Sequence, residues 1–196
     1  MNLRSAVIYG TLDDVKEALK TEKANQPGTV EQHLNTPIHL AAYNCFPEKL
    51  EVLLLSLCRE ERIKVLNQPN LHGFTPLMDA LYPMEMRGSY EQHHSRAETE
   101  KYCLNYERRF SNMPKTIQMM FDYGANPNTP SKGKLYGSNS PKPGQHPLSL
   151  MELIEMQMLC DENSLEYKTM GRCKEVIQTK QNQIAQEVLK AKALQK

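Results

Sequence analysis

The 196-residue chain has no tryptophan, four phenylalanines and an odd set of five cysteines. Cys45, Cys58, Cys103, Cys160 and Cys173 form no CxxC pair and have no close histidine at metal spacing. A disulfide framework and a zinc site are therefore unsupported, and five small buried or half-buried thiols are expected. Charge of one sign is also missing: 24 Lys and Arg against 23 Asp and Glu leave a net +1. Nucleic acid or an acidic lipid surface would need a clustered basic excess, so neither is expected as a partner. Nowhere do about 18 apolar residues run together, and the stretch from Met1 to Gly10 has no apolar core of signal length. The expectation is a protein of a reducing cytosol without a membrane span. The hydrophobic fraction of 39% and mean hydropathy of −0.62 lie below ordinary globular values, while the charged fraction of 24% is ordinary. One folded domain, or one with an appendage, and more polar surface than average should result.

Motifs for chemistry are equally scarce. There is no GxxxxGK[ST] phosphate loop, no GxSxG elbow, no HExxH and no paired-carboxylate motif. No enzyme, cofactor or metal is expected. The one enzymatic alternative is a Cys/His hydrolase-like site, with His93 and His94 ahead of Cys103, and it depends on a proximity that spacing cannot supply.

What the chain does contain is repetition. Thr36-Pro37-Ile38-His39-Leu40-Ala41-Ala42 aligns with Thr75-Pro76-Leu77-Met78-Asp79-Ala80-Leu81 and with His146-Pro147-Leu148-Ser149-Leu150-Met151. A second block recurs from Gly10 to Leu19, from Leu50 to Leu55 and from Ile117 to Asn128. The chemistry of the Asn67 to Leu77 stretch is coherent. Gly73 permits a positive-φ turn, Thr75 can cap a helix, and Pro76 suits a first position where no N–H is needed. Leu77, Ala80 and Leu81 then make a helical apolar stripe.

These blocks resemble the ankyrin repeat, with its T-P-L-H-x-A-A start, its V-V-x-x-L-L second helix and the turn that follows. The resemblance implies an all-α solenoid of about four stacked helix pairs, over residues 1–161, closed by a C-terminal helical cap at 162–196. The spacing from Thr36 to Thr75 is 39, and from Thr75 to His146 it is 71. Against a repeat of about 33 residues, this leaves a small excess near Arg59 to Lys64 and insertions at about 83–113 and 129–143. The second insertion is Gly/Pro/Ser-rich and reads as a mobile exposed loop. In the first, Ser95 and Glu98 make a capping box, and Thr99, Cys103, Tyr106 and Phe110 share one helical face. A separate helix from about Ala97 to Phe110, docked on the repeats, is expected.

Near the C-terminus Val176, Ile177, Ile184, Val188 and Leu189 predict a long helix with one narrow apolar face, covering the exposed end of the stack. From Lys174 onward five Lys stand against two Glu, so this segment carries +3 and the rest of the chain −2.

The resemblance further implies that His39 is structural, its imidazole bonding the backbone of the neighbouring turn. It implies a protein partner, bound through the concave surface by the turns and the first helix of each unit. In the carried-over register the exposed positions include Leu40 and Leu150, and the expected contact residues are Tyr9, Tyr43, Asn44, Asn70, His72, Phe74, Asp79 and Tyr82. Tyr9, Tyr43 and Tyr82 fall on equivalent turns, and a row of tyrosines suits protein recognition. An alternative is that the inserted helix folds into this groove and covers them. A monomer is expected. Irregular ankyrin chains with long insertions also resemble those of intracellular bacteria, some delivered into host cells. In that version the protein is an effector, its partner is a host protein and its compartment is the host cytosol.

Overall fold

Short polar side chains open several of the helices of this protein. In the computed structural model, which describes residues 1–26, 35–71, 73–81, 96–129, 149–158 and 162–193, Asn2 caps α1 (Leu3–Tyr9) and Thr11 caps α2 (Leu12–Ala18). Thr36 caps α3 (Pro37–Tyr43), with Pro37 in its first turn. Thr75 does the same for α6 (Pro76–Leu81), its hydroxyl accepting from Met78 N at 3.4 Å. Each cap satisfies an amide that has no partner inside the helix, which lets helices of six or seven residues hold their ends. Between them lie α4 (Pro47–Leu55) and α5 (Arg59–Asn67), and beyond them α7 (Arg96–Asp122), α8 (Leu150–Gln157) and α9 (Leu165–Ala193). Every element among the described residues is a helix, so the fold is all-α.

Helices this short do not persist alone, and packing holds them. α1, α3, α6 and α8 touch in succession and form one row; α2, α4, α7 and α9 form a second. The rows are joined by α1 with α2, α3 with α4, α6 with α7 and α8 with α9. Ala6, Ala41, Ala42 and Ala80 are fully buried in the first row, small enough to bring its backbones close, while Leu50, Leu53, Leu54, Ile117 and Met120 fill the space beneath the second. The turn from α3 to α4 passes through Cys45 at φ +48, a left-handed conformation uncommon for a side-chain-bearing residue; its thiol is buried and approaches Ala80 O.

Four expectations change. The small excess near Arg59 is a helix, α5, whose Ile63 lies where a Cβ on Gly124 would stand, only 2.7 Å from the Ile63 side chain. Gly124 itself has φ +106 and cannot readily be anything else. The inserted helix is not separate: it runs unbroken through Pro114 into the second-row helix. Tyr106, Phe110, Met113, Ile117 and Met120 are buried at spacings of four and three, one stripe that continues across the proline, and Thr116 Oγ1 donates to Asn112 O beside it. The Ser95 cap lies outside the described residues.

The third change is of register. α8 begins after Ser149, whose capping box with Glu152 has contacts of 2.7 and 3.2 Å, three residues later than the His146 alignment. Ser149 is thus the cap, and a Ser/Glu pair explains why the helix starts there. Finally, α9 exceeds its support. Met170, Cys173 and Ile177 are buried and Val176 packs against the core, but Val188 and Leu189 are 47% and 66% exposed. The narrow face is buried through Ile177, and beyond it Gln181 Nε2 donates to Asn128 Oδ1 at 3.1 Å. The thiols divide too: Cys45 and Cys173 are buried, with burial pushing them up to about 11 and about 12, whereas Cys58 is exposed. Cys103's side chain and Cys160 lie outside the described residues.

Candidate interaction surface

Two turns and two cations position the ends of the first-row helices. On the side where α3 and α6 begin, Asn70 closes a turn on itself: Asn70 N donates to Phe74 O, Phe74 N donates to Asn70 Oδ1, and Gly73 at φ +77 donates to Asn70 O. The Asn70 amide reaches Asn35 Oδ1 at 2.8 Å and Asp79 Oδ2 at 3.3 Å, which ties this turn to the one before it. His39 makes a parallel link. Its Nδ1 lies 2.8 Å from Thr36 Oγ1 and its Nε2 donates to Gln68 O at 3.1 Å, 29 residues away. Because Nε2 faces a carbonyl, the neutral ring must carry its proton there. Desolvation lowers the His39 pKa to about 4, although the carbonyls of Gln68 and Phe74 pull the other way.

On the opposite side, where α1, α3 and α6 end, carbonyls without a following helical turn need donors. Lys49 Nζ supplies three bonds to α1, at 3.2 Å to Ala6 O and 2.7 Å to both Val7 O and Gly10 O. Arg109, only 2% exposed, serves the next two: Nε donates to Tyr43 O, and Nη2 donates to Asp79 O and Ala80 O at 3.4 and 3.1 Å. A cation at a helix C-terminus also meets the negative end of the macrodipole. Both cations come from the second row and reach across to the first, and neither was identified in the sequence. Arg109 had a signal, since it falls inside the stripe between Tyr106 and Met113 where a polar residue needs a buried partner.

The expected contact residues separate on this frame. Tyr9 stands 82% exposed at the end of α1. Tyr43 is half-buried because Arg109 lies over its ring, 5.1 Å from the centroid, so the helical arm of α7 covers part of the tyrosine row. Asn44 is half-buried and its amide donates to Leu40 O. Asn70, Phe74 and Asp79 are buried and are corrected to internal roles, the first and last by their shared hydrogen bond and Phe74 by its closure of the turn. Leu40 and Leu150, expected to be exposed, are buried as well. His72 and Tyr82 lie outside the described residues, as do His93 and His94. Among the described residues no group of His, Cys, Asp or Glu could hold a metal, and no helix is long and apolar enough to cross a membrane.

Among the described residues Asp79 is the one buried carboxyl. Burial raises its pKa well above the ordinary value, more than the Arg109 cation lowers it. Since the unfolded chain ionises near its ordinary value, the folded state loses stability as pH rises past that point until Asp79 itself ionises. Asp79→Asn is therefore expected to stabilise the protein at pH 7, on the order of 1 kcal/mol. Urea denaturation of both proteins at pH 4 and pH 7 checks this: the advantage of the variant should be present at pH 7 and shrink toward pH 4.

Neither family models nor the curated proteins offer a sequence match to this chain.

Proposed function

We propose that the chain is an irregular ankyrin-repeat module that binds a partner protein through the face bearing Tyr9, Tyr43 and Asn44. The observation that supports this reading is the alternation of the helices into two rows, with capped helices in the first, α3 and α6 opening on Pro, and a turn closed by Asn70 and Gly73 before the third of them. Such stacked pairs expose a rigid surface whose side chains can vary without cost to the fold. Tyr9 has the exposure expected of a binding residue. Tyrosine offers a large amphipathic area at small entropic loss.

Affinity capture with mass spectrometry identifies the partner, and calorimetric titration with that purified protein tests the site. Replacing Tyr9 and Tyr43 together by alanine should weaken binding about 10- to 100-fold, the effect of losing one or two hot-spot aromatics. Tyr9→Ala alone guards against a folding artefact, because the exposed ring supports nothing. Unchanged affinity in both variants would remove this face from the proposal.

A further inference from the structure

Phe46, half-buried at the turn between α3 and α4, carries two cations over its ring. Lys49 Nζ is 4.6 Å from the centroid and Arg108 Cζ is 4.4 Å. Their fates differ. The three hydrogens of Lys49 are committed to the end of α1, whereas Arg108 has no hydrogen-bond acceptor and no ion-pair partner among the described residues. The nearby acids are already engaged: Glu48 pairs with Lys115 at 3.2 Å, and Asp14 accepts from Thr11 N and Oγ1 at 2.7 Å each. Arg109 lies next in sequence and is buried on its carbonyls. Tyr9, whose ring is exposed, directly precedes the Gly10 carbonyl that Lys49 holds.

A guanidinium held over an aromatic ring with no acceptor of its own keeps its five donors unspent. That geometry matches a carboxylate, which accepts two parallel N–H bonds. Phosphate and lipid surfaces are better served by several converging free cations, and here the others are spent. We propose that the Phe46–Arg108 edge, flanked by Tyr9, receives an acidic segment of a partner protein, with an Asp or Glu carboxylate seated on Arg108 and an apolar neighbour against the rings. This rests on the reading of the chain as a protein-binding module, and it names the chemistry of the partner and a contact surface beyond Tyr43 and Asn44.

The test uses the full chain with isotope-labelled arginine and three probes: a fluorescent peptide of alternating glutamate and leucine, its lysine counterpart and its phosphoserine counterpart. The glutamate peptide should move the Arg108 Nε–H resonance and bind more weakly as salt is raised. Arg108→Ala should weaken it about tenfold, the size of one charge-assisted contact. Arg108→Glu should reverse the preference and take the lysine peptide instead, a gain that no unfolded variant could show. Binding of the glutamate peptide that ignores both substitutions overturns the proposal. So does tighter binding of the phosphoserine peptide, or of phosphatidylserine vesicles. The two sites fail separately: Arg108 can respond to the probes while the Tyr9 and Tyr43 variants leave the captured partner's affinity intact, and the converse is equally readable.

Discussion

Arg109→Ala is expected to be the most damaging single substitution in this protein, lowering the unfolding free energy by about 3 kcal/mol or more. The guanidinium bonds carbonyls at the ends of both α3 and α6, and truncation would leave Tyr43 O, Asp79 O and Ala80 O without it in a site water reaches poorly. It would also open a cavity where a long side chain is almost wholly enclosed. Arg109→Lys should recover part of the loss, since an ammonium can serve one helix end but lacks the fork that spans two. Urea denaturation at pH 7 measures all three proteins. Alanine within about 0.5 kcal/mol of wild type would show that the clamp carries no net stability. Because Tyr43 packs under the same guanidinium, partner affinity should be remeasured in the lysine variant, where the fold is better preserved.

A second large effect is expected in acid. His39 has a folded-state pKa of about 4 against 6.5 in the unfolded chain, so the unfolded state takes up the proton first as pH falls. The stability that neutral His39 contributes is fully present above pH 6.5 and lost between 6.5 and about 4, to a total of about 3 kcal/mol. The main physical reason is burial, which disfavours the charged ring and outweighs the carbonyl facing Nε2; a second proton on Nδ1 would also point at the Thr36 hydroxyl and amide. Asp79 acts in the opposite direction over part of this range, so the wild-type curve alone is not diagnostic. The difference between wild type and His39→Gln isolates the histidine. The variant should be less stable at pH 7, and the gap should close as pH approaches 4. A gap that stays constant with pH would mean that the ring is not held neutral.

The parts of the fold legible in the sequence are those decided within a few residues. Thr36 with Pro37, Thr75 with Pro76, and Gly73 carry their own structural logic, since a cap, a first-turn proline and a positive-φ glycine act locally. The register of α8 departs from the alignment because His146 and Pro147 imitate the opening Thr-Pro pair, while the Ser149–Glu152 box sets the start. The continuity of α7 was legible in principle, because Tyr106, Phe110, Met113, Ile117 and Met120 keep one period through Pro114. The candidate surface was less legible still. Whether Asn70, Phe74 and Asp79 face a partner or one another depends on contacts such as Asn70 to Asn35, 35 residues apart, which no local pattern encodes. Arg108 and Arg109 are adjacent and chemically identical, and only packing decides that one closes helix ends while the other keeps its donors.

The two clamps also impose an order in time. Lys49 closes a helix whose last residue precedes it by 40 positions, and Arg109 closes helices that end 66 and 28 positions before it. While the chain is being synthesised, α1, α3 and α6 therefore each have an open end until a later stretch emerges. α1 can be completed early, once α4 exists, but α3 and α6 must wait together for the same arginine. Their completion is a single late event, so the middle of the protein should mature in one step rather than unit by unit.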